Sequence, residues 1–428
     1  MKGLQTKNTI AFALNCFNLK NLCYLYFFLS PFFLDRMDKF EKTAVFAIGY
    51  LISGSIVTLG IAERMSKFTG QVSFNLSSLL PLGMIAMCFF SLLINTPERL
   101  LWPSSYYYKY LKLILPVASF FIMINVWTWK DLSKLYSLVV AMSLVGFAFL
   151  IPEGLPYFLG SPYLPRFGIY FLDDPNKYAL FLNVVYGMCF PLLISRIING
   201  RAFGALLFGN FSVLLVLFLT QSRSGIFTCF SITVICLAAS RSKRLILRSI
   251  LFITPVAVLF SLAFLLRYQN AKSGAEVSDM GRLWTYAVAF NIISDRPFSG
   301  IGFANVTTVY HQYGGRYLFL LGRALGIHNS TLEIFAEEGF FGAVIYLLLV
   351  FVPVIILIKR ILIHSRKYYP VIEIVALNIP IAFFCYGLFY INYLADDYFW
   401  AYMAFTFIVL RSQIPEGYDL RLIKPRWI

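Results

Sequence analysis

Apolar runs about as long as a bilayer is thick recur along nearly the whole chain. Twelve can be marked, near 19–34, 43–61, 75–94, 110–129, 135–152, 178–198, 202–220, 224–240, 249–266, 339–358, 370–391 and 398–411. About 20 helical residues cross a hydrocarbon core of about 30 Å. Within that core a backbone must satisfy its own hydrogen bonds, which leaves helices or a closed barrel. Runs of this length, without period-two alternation, predict an all-α polytopic membrane protein of about 12 transmembrane helices. Composition agrees. The chain is 59% hydrophobic, 13% charged and has a mean hydropathy of +0.75, whereas a soluble domain carries roughly 25% charged residues.

Basic residues in short loops set the orientation. Arg241, Lys243, Arg244 and Arg248 crowd one loop, and Lys359, Arg360, Arg366 and Lys367 another. Both are expected to be cytoplasmic, which puts the segment 267–338 outside and, by alternation, both termini inside. In that layout the whole formal charge of +16 falls on the cytoplasmic side. The basic excess is therefore a topology signal spread over short loops, and no nucleic-acid partner is expected.

The seven cysteines all lie in or beside apolar runs and form no CxxC pair, so neither a disulfide nor a metal–thiolate site is expected. No GxxxxGK[ST] stretch occurs, which argues against ATP-driven work. The chain reads as a single integral membrane domain, 1–428, with 267–338 as its large outer loop.

Two outer segments are too long for plain turns. The first, 153–177, is rich in Pro, Gly and aromatics; Tyr163 and Tyr170 are candidates to stack on a sugar, although an interfacial aromatic belt accounts for them equally. The second contains "SDMGRLWTYAVAFNIISDRPFSGIG". Its spacing predicts an amphipathic helix over 281–294 on the outer membrane face, ended by Pro297, Gly300 and Gly302. A polar, Gly- and Tyr-rich stretch follows, and then "GIHNSTLEIFAEEGFFG", 326–342. Ser330 and Glu333 read as a capping box, which stands His328 at the outer mouth of a helix that runs on into the membrane.

His328 is one of only three histidines. An imidazole with an ordinary pKa near 6.5 can take a proton from a hydroxyl at neutral pH; the plainer reading is a capping or headgroup-facing histidine. Arg282 falls in the first turn of the predicted outer helix, where a cation opposes the helix dipole and an anion is welcome. It reads as a phosphate fork, or else as a snorkelling arginine or a partner of Asp279. Arg223, in "LTQSRSG" between two runs with almost no loop, is a charge close to hydrocarbon and a functional candidate on that ground. His311, Arg296, Arg316 and Arg323 share the outer region without a spacing argument. The acidic pairs Asp173–Asp174 and Asp396–Asp397 face out and could hold a divalent cation, yet they make no DxD and no histidine is near them in sequence; solvated turn residues are the plainer reading. Two arginines and a histidine at one bilayer boundary suit a substrate with an anionic head and a lipid tail, such as a lipid-linked diphosphate. The arginines would hold the diphosphate and the charge that grows on it as it leaves.

The segments "SRSG", "GRLWTYAVAF…PFSGIGFANV" and "HNSTLEIFAEEGFFG", in this order and on this side, resemble the O-antigen ligase and O-antigen polymerase superfamily. The last fits a pattern of His, a small amide or hydroxyl residue, nine residues, Gly, two residues and Gly, met by His328, Asn329, Gly339 and Gly342. The resemblance covers about 203–349. It implies a GT-C-like membrane glycosyltransferase at the periplasmic face of the bacterial inner membrane. The enzyme would be inverting, metal-independent and free of cofactors. Its donor would be an undecaprenyl-diphosphate-linked glycan, its acceptor lipid A-core or another glycan, and its surroundings membrane lipids. Arg223 and Arg282 match the family's essential arginines and His328 its essential histidine; Asn329, His311, Arg296, Tyr163 and Tyr170 remain candidates for substrate binding.

The motifs serve both a ligase, which passes finished O-antigen to lipid A-core in lipopolysaccharide biosynthesis, and a polymerase of O-antigen or exopolysaccharide. The ligase is the favoured reading. A lipid or glycan transporter is the alternative from another class. It would show inverted repeats and buried mid-span charge, whereas here the polar inventory sits on one face.

Overall fold

The computed structural model describes residues 18–30, 51–60, 76–95, 105–128, 131, 175–195, 200–220, 222–239, 254, 258, 261, 275–321, 326–364, 370–390, 394 and 396–412. Most of the runs 135–152 and 249–266, and all of the segment 153–174, lie outside them. The described residues are helical, with no strand among them. In chain order the helices are α1 (Leu19–Leu29), α2 (Leu76–Asn95), α3 (Ser105–Val126), α4 (Pro175–Ser195), α5 (Arg201–Thr220), α6 (Arg223–Ala238), α7 (Ala275–Asp295), α8 (Val306–Leu321), α9 (Ser330–His364), α10 (Val371–Gly387) and α11 (Asp397–Arg411). A short apolar helix, Leu51–Gly60, stands between α1 and α2.

Among these residues three helices are long and apolar enough to cross a membrane: Pro175–Ser195, Phe203–Thr220 and Ser330–Ile363. The shorter apolar helices α2, α6, α10 and α11 pack with them, and α1 and α3 pack against α11. This is the architecture of a helical membrane protein.

Helix α4 is the axis of the bundle. It begins with Pro175 at its first position, where a missing N–H costs nothing, and every residue from Tyr178 to Ile194 is buried. A helix apolar all round belongs inside a bundle, and α4 packs against α5, α6 and α10. Between helices in lipid, close backbone approach and polar side chains replace the hydrophobic drive. Both occur here. A Cβ on Gly225 of α6 would meet the Ala179 Cβ at 2.7 Å, and one on Gly187 of α4 would meet the Asn378 Cβ at 3.0 Å. At the same two crossings Asn183 Nδ2 donates to Gly225 O (3.0 Å) and Asn378 Nδ2 to Gly187 O (2.8 Å).

Aromatic packing joins α1, α3 and α11. Phe27 stacks on Tyr402 with centroids 4.2 Å apart, and Phe120 meets Trp400 and Phe407 edge-on. At the end of the bundle where α11 finishes, Arg360 donates through Nη1 and Nη2 to Val409 O and Leu410 O, satisfying carbonyls that the helix end leaves open. Asp131 lies at that same end with Lys20 Nζ at 2.7 Å, and it accepts from the Tyr24 hydroxyl and the Thr128 amide. Burial works against the Asp131 carboxylate, but the bonds from Lys20, Thr128 and Tyr24 prevail and hold its pKa below the ordinary 3.8.

The opposite end carries α7 and α8, built on a small core of Val288, Ile292, Ile301, Val306, Tyr310 and Ile327. One expectation is corrected here. Helix α7 starts at Ala275 rather than near residue 281. Arg282 is therefore not in the first turn, and the argument from a free helix N-terminus does not apply to it. The polar stretch after Gly302 forms α8, interrupted at Gly315 (φ 44°, ψ −124°). Its buried face, Val306 and Tyr310 with Val309 and Tyr313 beside them, has helical spacing that the polar residues around it obscure.

Candidate active site

The site is built on a junction of two backbones. Helix α9 breaks at Gly339 (φ 74°, ψ −171°), which releases main-chain groups from the helical ladder. The segment 297–302 satisfies them: Ile301 N donates to Ala336 O (3.0 Å), Gly302 N to Glu337 O (2.8 Å), and Phe340 N to Pro297 O (2.8 Å). The approach leaves no room for side chains. A Cβ on Gly300 would stand 2.2 Å from Glu337 O, and one on Gly339 would stand 2.1 Å from Phe298 O. Gly342 has a different reason, since its Cβ would lie 2.3 Å from the Glu338 Cβ. Gly300 and Gly339 are thus the places where backbone meets backbone.

Helix α2 clasps this junction. Ser91 Oγ reaches the carbonyl oxygens of Ser299 and Glu337, and Asn95 Nδ2 donates to Ser299 O at 3.3 Å. Arg296, exposed, donates through Nη1 to Asn95 Oδ1. The structure therefore places Arg296 on the clasp. The Glu337 carboxyl faces the other way and accepts from Val306 N (3.2 Å) at the start of α8. Ala304, in the same connection, holds φ 55°, the one positive φ among described non-glycine residues.

His328 immediately precedes the junction helix. The cap of α9 is Asn329 and not Ser330: Asn329 Oδ1 accepts from Leu332 N (3.0 Å), while Ser330 Oγ donates to Tyr390 O (3.1 Å). The capping box is thus replaced by a single Asn cap, with Ser330 as the first helical residue and its hydroxyl turned to the turn after α10. Asn329 Nδ2 donates to Leu388 O at 3.3 Å. The half-buried His328 ring lies edge-to-face with Tyr390, centroids 6.2 Å apart. Its backbone carbonyl accepts from the Tyr286 hydroxyl at 3.0 Å.

Tyr286 leads to Arg282, one turn earlier on α7. Burial raises the pKa of the Tyr286 phenol and the Arg282 charge pulls it back down, so the guanidinium acts on the phenol that holds His328. Arg223 enters from the other direction. It opens α6 behind the cap Ser222, whose Oγ accepts from Gly225 N (3.2 Å) and donates to Asn176 Oδ1 of α4 (2.9 Å). One turn on, Phe227 meets Phe389 edge-on at 5.9 Å, and Phe389 adjoins Tyr390. Contacts therefore connect the helix of Arg223 to the 388–390 turn, that turn to His328, and His328 to the helix of Arg282.

The other candidates fall elsewhere. His311 is exposed on α8. Tyr163, Tyr170, Arg323, Asp173 and Asp174, and the side chains of Arg316, Asp279 and Asp397, lie outside the described residues. Six cysteines among the described residues, Cys88 and Cys236 included, are buried and outside any disulfide. No group of three or more His, Cys, Asp or Glu side chains among the described residues could hold a metal ion. Sequence reasoning missed Tyr286, Tyr390, Ser91 and Asn95. The position of Tyr286 four residues after Arg282 was the one legible signal, since residues at that spacing share a helix face.

Residues 208–347 match the family model described as O-Antigen ligase. The match covers 140 of the 428 residues, and this stretch is similar to an O-antigen ligase domain. It contains Arg223, Arg282, His328 and both partners of the glycine junction. Helices α1–α4, α10 and α11, with the turn bearing Tyr390, lie outside the matched stretch. No curated protein matches the chain. The family reading from the three motifs therefore stands, and it carries glycan transfer of the O-antigen ligase and polymerase kind.

Proposed function

We propose that the protein transfers a glycan from undecaprenyl diphosphate to an acceptor hydroxyl at the periplasmic face of the inner membrane, ligating O-antigen to lipid A-core. One observation carries the reading: contacts bracket His328 between the helix of Arg282 and the turn packed against the helix of Arg223. The proposal keeps the twelve-span layout with both termini cytoplasmic, which follows from the basic loops.

In this mechanism the two guanidinium groups grip the diphosphate; planar forks suit its oxygens. The His328 imidazole takes the acceptor hydroxyl proton. The oxygen attacks the anomeric carbon, the bond from that carbon to the diphosphate oxygen breaks, and the leaving group keeps the electron pair. One displacement inverts the anomeric centre. The arginines stabilise charge as it develops on the diphosphate, a stabilisation that is worth most where water is excluded.

The experiment is deletion of the gene followed by gel analysis of lipopolysaccharide and of lipid-linked glycan. Loss of all O-antigen with accumulation of lipid-linked polymer is the expected result. A core capped by a single repeat unit would make the protein a polymerase. Unchanged lipopolysaccharide with loss of another polymer would move it to a different polysaccharide.

A further inference from the structure

The turn after α10 belongs to no motif and lies outside the matched stretch, yet it touches His328, the two residues after it and the helix of Arg223. Its Leu388 and Tyr390 carbonyls accept from Asn329 and Ser330. Its Phe389 ring meets Phe227, one turn beyond Arg223. Its Tyr390 ring meets the His328 imidazole.

We propose that Tyr390 and Tyr286 are positioning residues for the His328 imidazole, and that the 388–390 turn is the part of the active centre supplied from outside the matched stretch. The inference rests on the reading of His328 as the general base.

A base on a loop is useful only if its ring is held near one orientation, because small misplacements of reacting groups are expensive in rate. His328 has two soft side-chain torsions and lies one residue before a helix cap, outside the hydrogen-bonded ladder of α9. The restraints come from elsewhere. The Tyr286 hydroxyl takes the His328 carbonyl oxygen and fixes the backbone. The next two residues are fastened to the turn. The ring itself then faces Tyr390, which is only 7% exposed and packs on Tyr386 at 4.7 Å. A buried aromatic backed by a second one is a rigid wall. Tyr286 adds a connection, because it shares a face of α7 with Arg282. A diphosphate seated on Arg282 is thereby coupled, through one helical turn and one hydrogen bond, to the base that must act on the acceptor.

The test uses the full-length protein in lipid nanodiscs, with a polyprenyl-diphosphate-linked oligosaccharide as donor and a lipid A-core acceptor. The variants are Tyr286→Phe, Tyr390→Phe, Tyr390→Leu and His328→Ala, each checked by its thermal unfolding midpoint. Tyr390→Phe keeps the wall and should keep kcat. Tyr390→Leu and Tyr286→Phe should lower kcat by about 10- to 100-fold with an unchanged donor KM, since orientation rather than binding is lost. If Tyr390→Leu does not accumulate folded, Tyr286→Phe decides alone, because it removes a single oxygen from a half-buried side chain. Wild-type kcat in Tyr286→Phe and in any folded Tyr390→Leu, or a change confined to KM, overturns the inference. His328→Ala separates the two levels. Wild-type transfer by that variant removes the proposed function and this inference together. An inactive His328→Ala beside fully active tyrosine variants removes this inference alone.

Discussion

Gly339 of α9 faces the carbonyl oxygen of Phe298 so closely that a Cβ on the glycine would stand 2.1 Å from it. The glycine also holds φ 74°, so a side chain there would be strained in its own backbone and would strike another. Gly339→Ala should lower stability by about 3 kcal/mol or more and abolish transfer with it. Thermal unfolding in detergent measures the first effect. Gly204→Ala on α5, where no atom lies within 4 Å of an added Cβ, is the control and should be neutral or stabilising by up to about 1 kcal/mol. Equal behaviour of the two variants would remove the backbone junction as the reason for the motif glycine.

Ala304 shows the reverse situation. It holds φ 55°, a left-handed conformation that costs an L-residue about 1–2 kcal/mol. Ala304→Gly relieves that cost and loses part of the gain to the greater freedom of glycine in the unfolded chain. A net gain of about 0.5 kcal/mol is expected from these opposing effects. A clear loss in unfolding midpoint would mean that the methyl group packs usefully in the connection.

Asp131 should make stability sensitive to acid. Its carboxyl is held below the ordinary 3.8 by its bonds to Lys20, Thr128 and Tyr24, which outweigh burial. The folded state therefore binds the proton less readily than the unfolded chain. The resulting stability is fully present above about 3.8 and is lost as pH falls through the lower, folded value. Asp131→Ala should cost about 1–3 kcal/mol at neutral pH, because the Tyr24 hydroxyl and Thr128 amide lose their acceptor. It should also flatten the acid limb of a stability-against-pH curve. An unchanged acid limb would assign that limb to other carboxyls.

His328→Ala, Arg223→Lys and Arg282→Lys test the chemistry. The histidine variant should lose transfer by about 100-fold or more while remaining folded and inserted. The lysine variants keep the charge but lose the planar fork, so both should be impaired although the net charge is unchanged. Surface polysaccharide of wild-type amount and length from cells carrying His328→Ala would end the general-base assignment.

The clasp from α2 makes a prediction of its own. Ser91→Ala removes the hydroxyl that reaches Ser299 O and Glu337 O, each of which keeps a second donor in Asn95 Nδ2 or Gly302 N, so the cost is that of one net hydrogen bond, about 0.5–1.5 kcal/mol. The loss is read as a lower unfolding midpoint, and wild-type stability would mean that Asn95 and Gly302 suffice.

Hydropathy alone located α4, α5, α6, α10 and α11 within a few residues, because burial in lipid demands a continuous apolar run and an internally bonded backbone whatever the neighbours are. Local signals marked the end of α7 at Pro297 and the start of α9 beside His328, since caps and breakers act over one turn. They failed where distant partners intervened. Asn329 is the cap, and the Ser330 hydroxyl is instead directed to the carbonyl of Tyr390, 60 residues away. The α7 start, and with it the place of Arg282, was obscured by a weakly apolar first turn. Helix α8 depends on the Glu337 carboxyl at its N-terminus. The sequence by itself thus determined a helical membrane protein with its chemical groups gathered in 203–349. Only the tertiary structure decided that Tyr286 and Tyr390 contact His328 and that Gly300 and Gly339 are backbone contacts, because both arise from residues brought together across long sequence separations.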